Sequence, residues 1–269
     1  MGVAGAAWAT SVSQLVSFVV LLVLNRRCAA IKVKLSRFTP QLHYFYKIFT
    51  GGVPSLCRQG VGSIATVLLN LAAGNYGGAS ADAALAAMGV VNRISMFANS
   101  ALIGFGQGFQ PVCGTNYGAG KRTRVRQAFY LCIRLGGGTV AALSVLGFAF
   151  APQLIRLFRD DADVVVIGTA ALRAQCLTLV LTVWIILCTM LLQTIGMAWQ
   201  ASVVAAARQG LFLIPVVFVL PRLLGLAGVE YAQPAADLLA FALALPMGLS
   251  VLKTFRSDAP RPAHALREE

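Results

Sequence analysis

In a chain this apolar, the side chains able to do chemistry are the few polar ones, and they fall at helical spacing. Gln59, Ser63, Thr66 and Asn70 recur at intervals of four, three and four residues, so a helix presents them on one face. Asn92, Ser95 and Asn99, continued by Gly106 and Gln110, draw a second such line; Gln175, Thr178, Thr182, Thr189 and Gln193 draw a third. Arg58, Arg93 and Arg208 stand beside or beyond these lines, and Gln233 and Asp237 open the last apolar run. This is material for hydrogen bonding and charge recognition, not for making bonds. The two histidines, His43 and His264, lie outside the apolar runs, and the six cysteines show no C-x-x-C spacing. No metal site and no cofactor are expected from such residues. A single Ser or Thr in an apolar helix usually bonds back to its own backbone. Three aligned stripes together ask for a shared polar space, so Arg58, Gln59, Ser63, Asn70, Asn92, Arg93, Asn99, Gln175, Gln193, Arg208 and Asp237 are expected to line a water-filled cavity.

The elements that must position these side chains are membrane helices. Of 269 residues, 58% are hydrophobic and only 12% charged, with a mean hydropathy of +0.77, which excludes an ordinary soluble domain. Seven apolar runs, near 2–24, 48–74, 84–110, 128–151, 165–191, 199–221 and 233–252, are long enough to cross at about 20 residues each. The fold class is therefore an all-α polytopic membrane protein of about seven transmembrane helices. The net charge of +13 reflects topology and not nucleic-acid binding. Segments 25–47, 111–127 and 253–269 hold six, four and four Lys and Arg, against none, two and one in 75–83, 152–164 and 222–232. The positive-inside rule places the first group, and the C-terminus, in the cytoplasm. The N-terminus then starts outside, with no leader pattern, and this implies spans before it.

Arginine inside a span costs roughly 2.5–3.5 kcal/mol on insertion scales, so Arg93 and Arg208 are expected to face protein or water. Asp237 is the one acidic residue seen within a span, and amide and carbonyl partners are expected for the arginines. Pro54 and Pro215 are expected bends, as is Pro246. Gly104, Gly106 and Gly108 are expected to let another backbone approach, and Pro111 to end the helix that carries them, ahead of a basic loop.

Several motifs, in order along the chain, resemble the MATE (multidrug and toxic compound extrusion) family, nearest its MepA-like bacterial branch. They are Gly52-Val-Pro-Ser-Leu-Cys-Arg-Gln59, Gly104-Phe-Gly-Gln-Gly-Phe-Gln-Pro111 with Asn116-Tyr-Gly-Ala119, Ala207-Arg-Gln-Gly-Leu-Phe-Leu-Ile-Pro215, and Gly228-Val-Glu-Tyr-Ala-Gln-Pro-Ala-Ala-Asp237. The resemblance implies twelve spans in two six-helix lobes about a central cavity. It also implies export of cationic and amphipathic compounds against an inward flow of Na⁺ or H⁺, from a bacterial inner membrane. On that pattern residues 1–24 are the last helix of a missing N-terminal lobe, 25–47 a basic cytoplasmic linker, 48–253 the second lobe, and 254–269 a disordered cytoplasmic tail. The partners implied are the lipid bilayer, small substrates and the missing lobe. Some members of the family carry ion-coupling carboxylates in this lobe; the span 48–74 here has none, which leaves coupling to the missing lobe.

Two other readings stay open on the residues alone. A lipid-linked oligosaccharide flippase shares the two-lobe plan and needs a strongly basic cavity, which the span arginines could supply. A non-transporting membrane subunit needs no cavity chemistry. A membrane-embedded enzyme would need a His, Asp or Cys constellation that the sequence lacks.

Overall fold

The computed structural model describes residues 3–28, 41–78 and 81–255, and every regular element among them is a helix. The chain divides into two units, Met1–Lys47 and Ile48–Glu269. In the first unit, α1 (Val3–Cys28) exposes Trp8, Leu15, Phe18 and Leu21 around its circumference. A helix apolar on every side needs lipid or protein around it. The expected linker 25–47 is shorter at both ends, since α1 continues to Cys28 and α2 (Leu42–Tyr76) starts at Leu42. No glycine or proline lies between Gln41 and Thr50 to delay that start, and the Gln41 carbonyl accepts from the Tyr44 amide at 3.0 Å. The middle of the linker and the tail beyond Phe255 lie outside the described residues.

The second unit is built around α6 (Ala162–Thr194). Apart from the Gln175–Gln193 stripe and Arg173 its side chains are largely apolar, and it packs against α3 (Ala81–Gly118), α4 (Arg122–Ala149), α5 (Ala151–Phe158), α7 (Ala198–Ala206) and α9 (Leu226–Thr254). Asp161 caps α6, its carboxylate accepting from the Asp163 amide at 3.1 Å, as the acidic run before the helix leads one to expect. Along α9, Ala232, Ala236, Ala240, Ala244 and Gly248 recur every four residues and are buried, which lets that helix lie close to its neighbours. Between α8 (Leu213–Leu224) and α9 the chain turns on a single residue, Gly225, at φ 59°.

Among the described residues, six helical segments are long and apolar enough to cross a membrane. The seventh long helix of the expected set, α3, has 38 residues, and its polar stripe lowers its apolar character. This chain is a multi-pass membrane protein.

Two expectations about α3 are corrected. The helix does not end at Pro111 but runs on to Gly118, and the turn is made by Gly120 at φ 73°. Proline removes one donor, which a long helix held by its neighbours tolerates. Beyond it, side chains bond to the backbone of the same helix: Thr115 donates to the Pro111 carbonyl at 2.9 Å and Asn116 to that of Val112 at 2.8 Å. The basic loop contracts accordingly, and Arg122, Arg124 and Arg126 belong to the start of α4. The three glycines also differ in role. Gly106 is buried against the Met190 thioether, where an added Cβ would collide, whereas Cβ atoms at Gly104 and Gly108 would meet open space. Helical periodicity is the reason: positions 104 and 108 share a face that 106 does not. Gly106→Leu is therefore expected to cost about 1–3 kcal/mol in thermal unfolding in detergent, by overpacking. Met190→Ala should recover part of that loss, and Gly108→Ala should cost nothing. A destabilised Gly108→Ala beside a tolerated Gly106→Leu would reverse the assignment.

Candidate functional site

Within the Ile48–Glu269 unit, the helix that carries Arg208 does not keep α geometry. Ala207–Phe212 forms a π-helical turn between α7 and α8. Pro215 cannot donate to the Leu211 carbonyl and its ring crowds that oxygen, which favours a wider turn just before it. The irregularity thus lies one turn earlier than the bend expected at Pro215 itself.

The π turn holds Arg208 against α9. Its Nε donates to Oδ1 of Asp237 at 2.6 Å, and Asp237 is fully buried. The other carboxylate oxygen accepts from Nε2 of Gln175 on α6 at 2.9 Å, and Gln233, one turn back on α9, approaches Oδ1 at 3.4 Å. Three helical elements are tied at one carboxylate. The expectation of amide and carbonyl partners for Arg208 is corrected here: its partner is a carboxylate from a distant part of the chain. Sequence reading placed Asp237 near the outer end of its span and did not bring it to the π turn. A buried ion pair satisfies both desolvation costs better than an arginine among dipoles would.

Two adjoining cavities open beside this network. The smaller, of about 80 Å³, is lined by Asn70 of α2, Asn92 and Asn99 of α3, Gln175, Arg208, and Glu230 with Gln233 of α9. The larger, of about 300 Å³, is lined by Gln59 and Ser63 of α2, Asn92 and Asn99 again, Thr189 of α6, and Arg208. Asn92, Asn99 and Arg208 belong to both, so the three stripes do converge on one polar tract. The carbonyl oxygen of the Asn99 side chain is buried with no hydrogen-bond partner in the structure, which suits it to accept from something that enters. The hydroxyls are spent locally: Ser63 donates to the Gln59 carbonyl at 3.1 Å, Thr182 to that of Leu179 at 2.7 Å, and Thr189 to that of Ile185 at 2.8 Å.

Not every expected residue joins this tract. Arg93 is exposed and lines neither cavity. Gln193 bonds instead to the Gly51 carbonyl at 3.1 Å and approaches the Ser55 hydroxyl at 3.4 Å, joining α6 to α2. The Arg58 side chain lies outside the described residues. Pro54 is buried within α2, away from both linings. The expected set leaves out Gln209, Glu230 and Gln233, all of which line the smaller cavity. Glu230 falls in the outer segment 222–232 of the sequence, but α9 begins at Leu226, and Glu230, Gln233 and Asp237 then share one face at intervals of three and four. That spacing was the available signal.

The MatE family model matches residues 54–219. The chain is 28% identical over 238 residues to the multidrug export protein MepA of Staphylococcus saprophyticus, and 27% identical over 240 residues to that of Staphylococcus aureus. Each match covers 88% of this chain and 51% of the relative, so the chain spans about half the length of the curated relatives it matches. Among solved structures, an outward-facing conformation of a multidrug resistance MATE family transporter of the MOP superfamily superposes with a TM-score of 0.85 at 24% identity, over 95% of this chain and 57% of that one. A MOP superfamily transporter from Pyrococcus furiosus superposes with a TM-score of 0.84 at 23% identity, over 96% of this chain and 58% of that one. At these identities the structural likeness is one of fold.

Proposed function

Because this chain belongs to the MatE family, we propose that its Ile48–Glu269 unit forms one wall of a multidrug export pathway in a bacterial plasma membrane. The single observation that carries this reading is the polar tract. Six side chains from five helical elements (Asn70, Asn92, Asn99, Gln175, Arg208 and Gln233) converge on one space in a unit whose core clusters are otherwise mostly apolar. The role of the wall is to offer hydrogen bonds and a shaped surface to small cationic or amphipathic compounds. The opposite wall is a second lobe, which the doubled length of the relatives supplies. Transport then proceeds by alternating access, with inward Na⁺ or H⁺ as the driving flow and no bound cofactor. Lys and Arg placement sets the loop around Lys121 and the C-terminus on the cytoplasmic side.

The flippase reading is weaker on this geometry. It needs net positive charge in the cavity, and the arginine that lines it is neutralised by Asp237.

Ethidium accumulation in bacterial cells tests the proposal. Cells expressing these 269 residues alone are expected to retain the dye. Joined to a first lobe, the chain is expected to lower accumulation, and Asn92→Ala with Gln175→Ala to restore it. Unchanged export by the double variant would remove the tract from the pathway.

A further inference from the structure

Glu230 is the one cavity-lining carboxylate that the ion-pair network leaves over. It is half-buried in the smaller cavity, and no described residue hydrogen-bonds to it or pairs with it. Asp237, on the same face of α9, is not available to a ligand. It is wholly buried, and its two oxygens are taken by Arg208 and Gln175. The cavity wall therefore carries the Arg208 charge, already compensated from behind by Asp237, and the uncompensated carboxylate of Glu230. An ionisable group half-buried in a cavity and left without a protein partner points to one supplied from outside the protein.

Size narrows what that partner is. Drug-sized ligands occupy pockets of about 300–1,000 Å³. The smaller cavity, at about 80 Å³, has room for a head group only, while the adjoining one, at about 300 Å³, matches a larger body. Donor chemistry narrows it further. A compact divalent ion takes about six to eight oxygen ligands, usually several carboxylates among them. Here one carboxylate stands among the carboxamides of Asn70, Asn92 and Gln233, and the described residues contain no cluster of three acidic, His or Cys groups. A diffuse monovalent charge, such as an alkylated ammonium or phosphonium, fits one carboxylate flanked by amides.

We propose that Glu230 is the specificity-determining residue that anchors the charged head of an organic cation in the smaller cavity, while the body of the molecule lies in the larger one. The inference rests on the export reading above and deepens it.

The experiment is equilibrium binding to the purified full chain in lipid nanodiscs, with tetraphenylphosphonium as the cation and triphenylphosphine oxide as a neutral counterpart. The wild-type chain is expected to prefer the cation by about tenfold or more, the scale of one charge-assisted contact. Glu230→Gln should erase that preference and leave the neutral probe within about twofold, and Glu230→Asp should recover part of it. The wild-type comparison needs no variant to fold. Equal weakening of both probes by Glu230→Gln would mean a structural role and overturn the proposal. So would an unchanged cation affinity, which leaves the cavity reading intact. Binding of neither probe by the wild-type chain would overturn the cavity reading as well.

Discussion

Asp237→Ala is expected to destabilise the protein by about 3–5 kcal/mol, the range for removing one partner of a buried ion pair. The size of the effect comes from what is left behind. Without the carboxylate, the buried Arg208 keeps its charge with no counter-ion, and the Gln175 amide loses its acceptor. Removing both charges should cost far less, since an ion pair can often be replaced by apolar groups of similar volume with little loss. Arg208→Met with Asp237→Leu is therefore expected to unfold near the wild-type temperature in detergent, well above Asp237→Ala alone. A double-mutant cycle across Arg208 and Asp237 measures the coupling directly. A double variant as unstable as the single one would show that α9 needs Asp237 for something other than Arg208. In binding, Asp237→Asn also leaves Arg208 uncompensated at the wall of both cavities, so a cationic probe should bind more weakly even where the fold survives.

That network marks how far the sequence could be read. The polar stripes were legible because helical periodicity is a local property: Gln59 to Asn70, and Asn92 to Asn99, need only a helix to share a face, and both faces line the cavities. The class of the fold was legible for a similar reason, since a run of about 20 apolar residues has few alternatives to a membrane helix. Pairing was not legible. Asp237 and Arg208 are 29 residues apart on different helices, and Gln175 is a further 33 residues back, so nothing local joins them. The π turn at Ala207–Phe212 was hidden as well, because Pro215 announces a disturbance without saying on which side of it the backbone will yield. Glu230 was lost through a boundary. Placing the start of the last helix near 233 and not at Leu226 removed it from the face on which Gln233 and Asp237 stand.

The same limit separates Gly106 from Gly104 and Gly108. An alternating glycine pattern looks like a single device in the sequence, yet on a helix alternate residues point about 200° apart. Only Gly106 is turned towards α6, where Met190 fills the space a side chain would need.

The second large effect is expected at Phe129, which lines neither of the two polar cavities. Its ring is fully buried and meets Phe109 of α3 edge-on at 5.9 Å and Trp184 of α6 at 5.6 Å. Trp184 in turn donates its indole N–H to the Ala244 carbonyl of α9 at 3.2 Å. One aromatic cluster thus fastens α3, α4, α6 and α9. In a membrane the transfer of apolar groups out of water does not hold helices together, because lipid is as apolar as they are; contact and packing do. Phe129→Ala removes those contacts without an easy way to refill the space, and the expected loss is about 3 kcal/mol, the low end for Phe→Ala in a packed core. Phe129→Leu should retain more than half of the stability, since most of the volume stays. Thermal unfolding in detergent measures both. In a Trp8→Phe, Trp199→Phe background, which leaves Trp184 as the one tryptophan, fluorescence adds a readout specific to the cluster: its emission should shift in Phe129→Ala and stay close to that background in Arg208→Met with Asp237→Leu. A loss below about 1 kcal/mol for Phe129→Ala would mean that neighbouring side chains collapse into the gap. The four helices would then be held by the small-residue face of α9 and the ion-pair network, with the aromatic cluster contributing little.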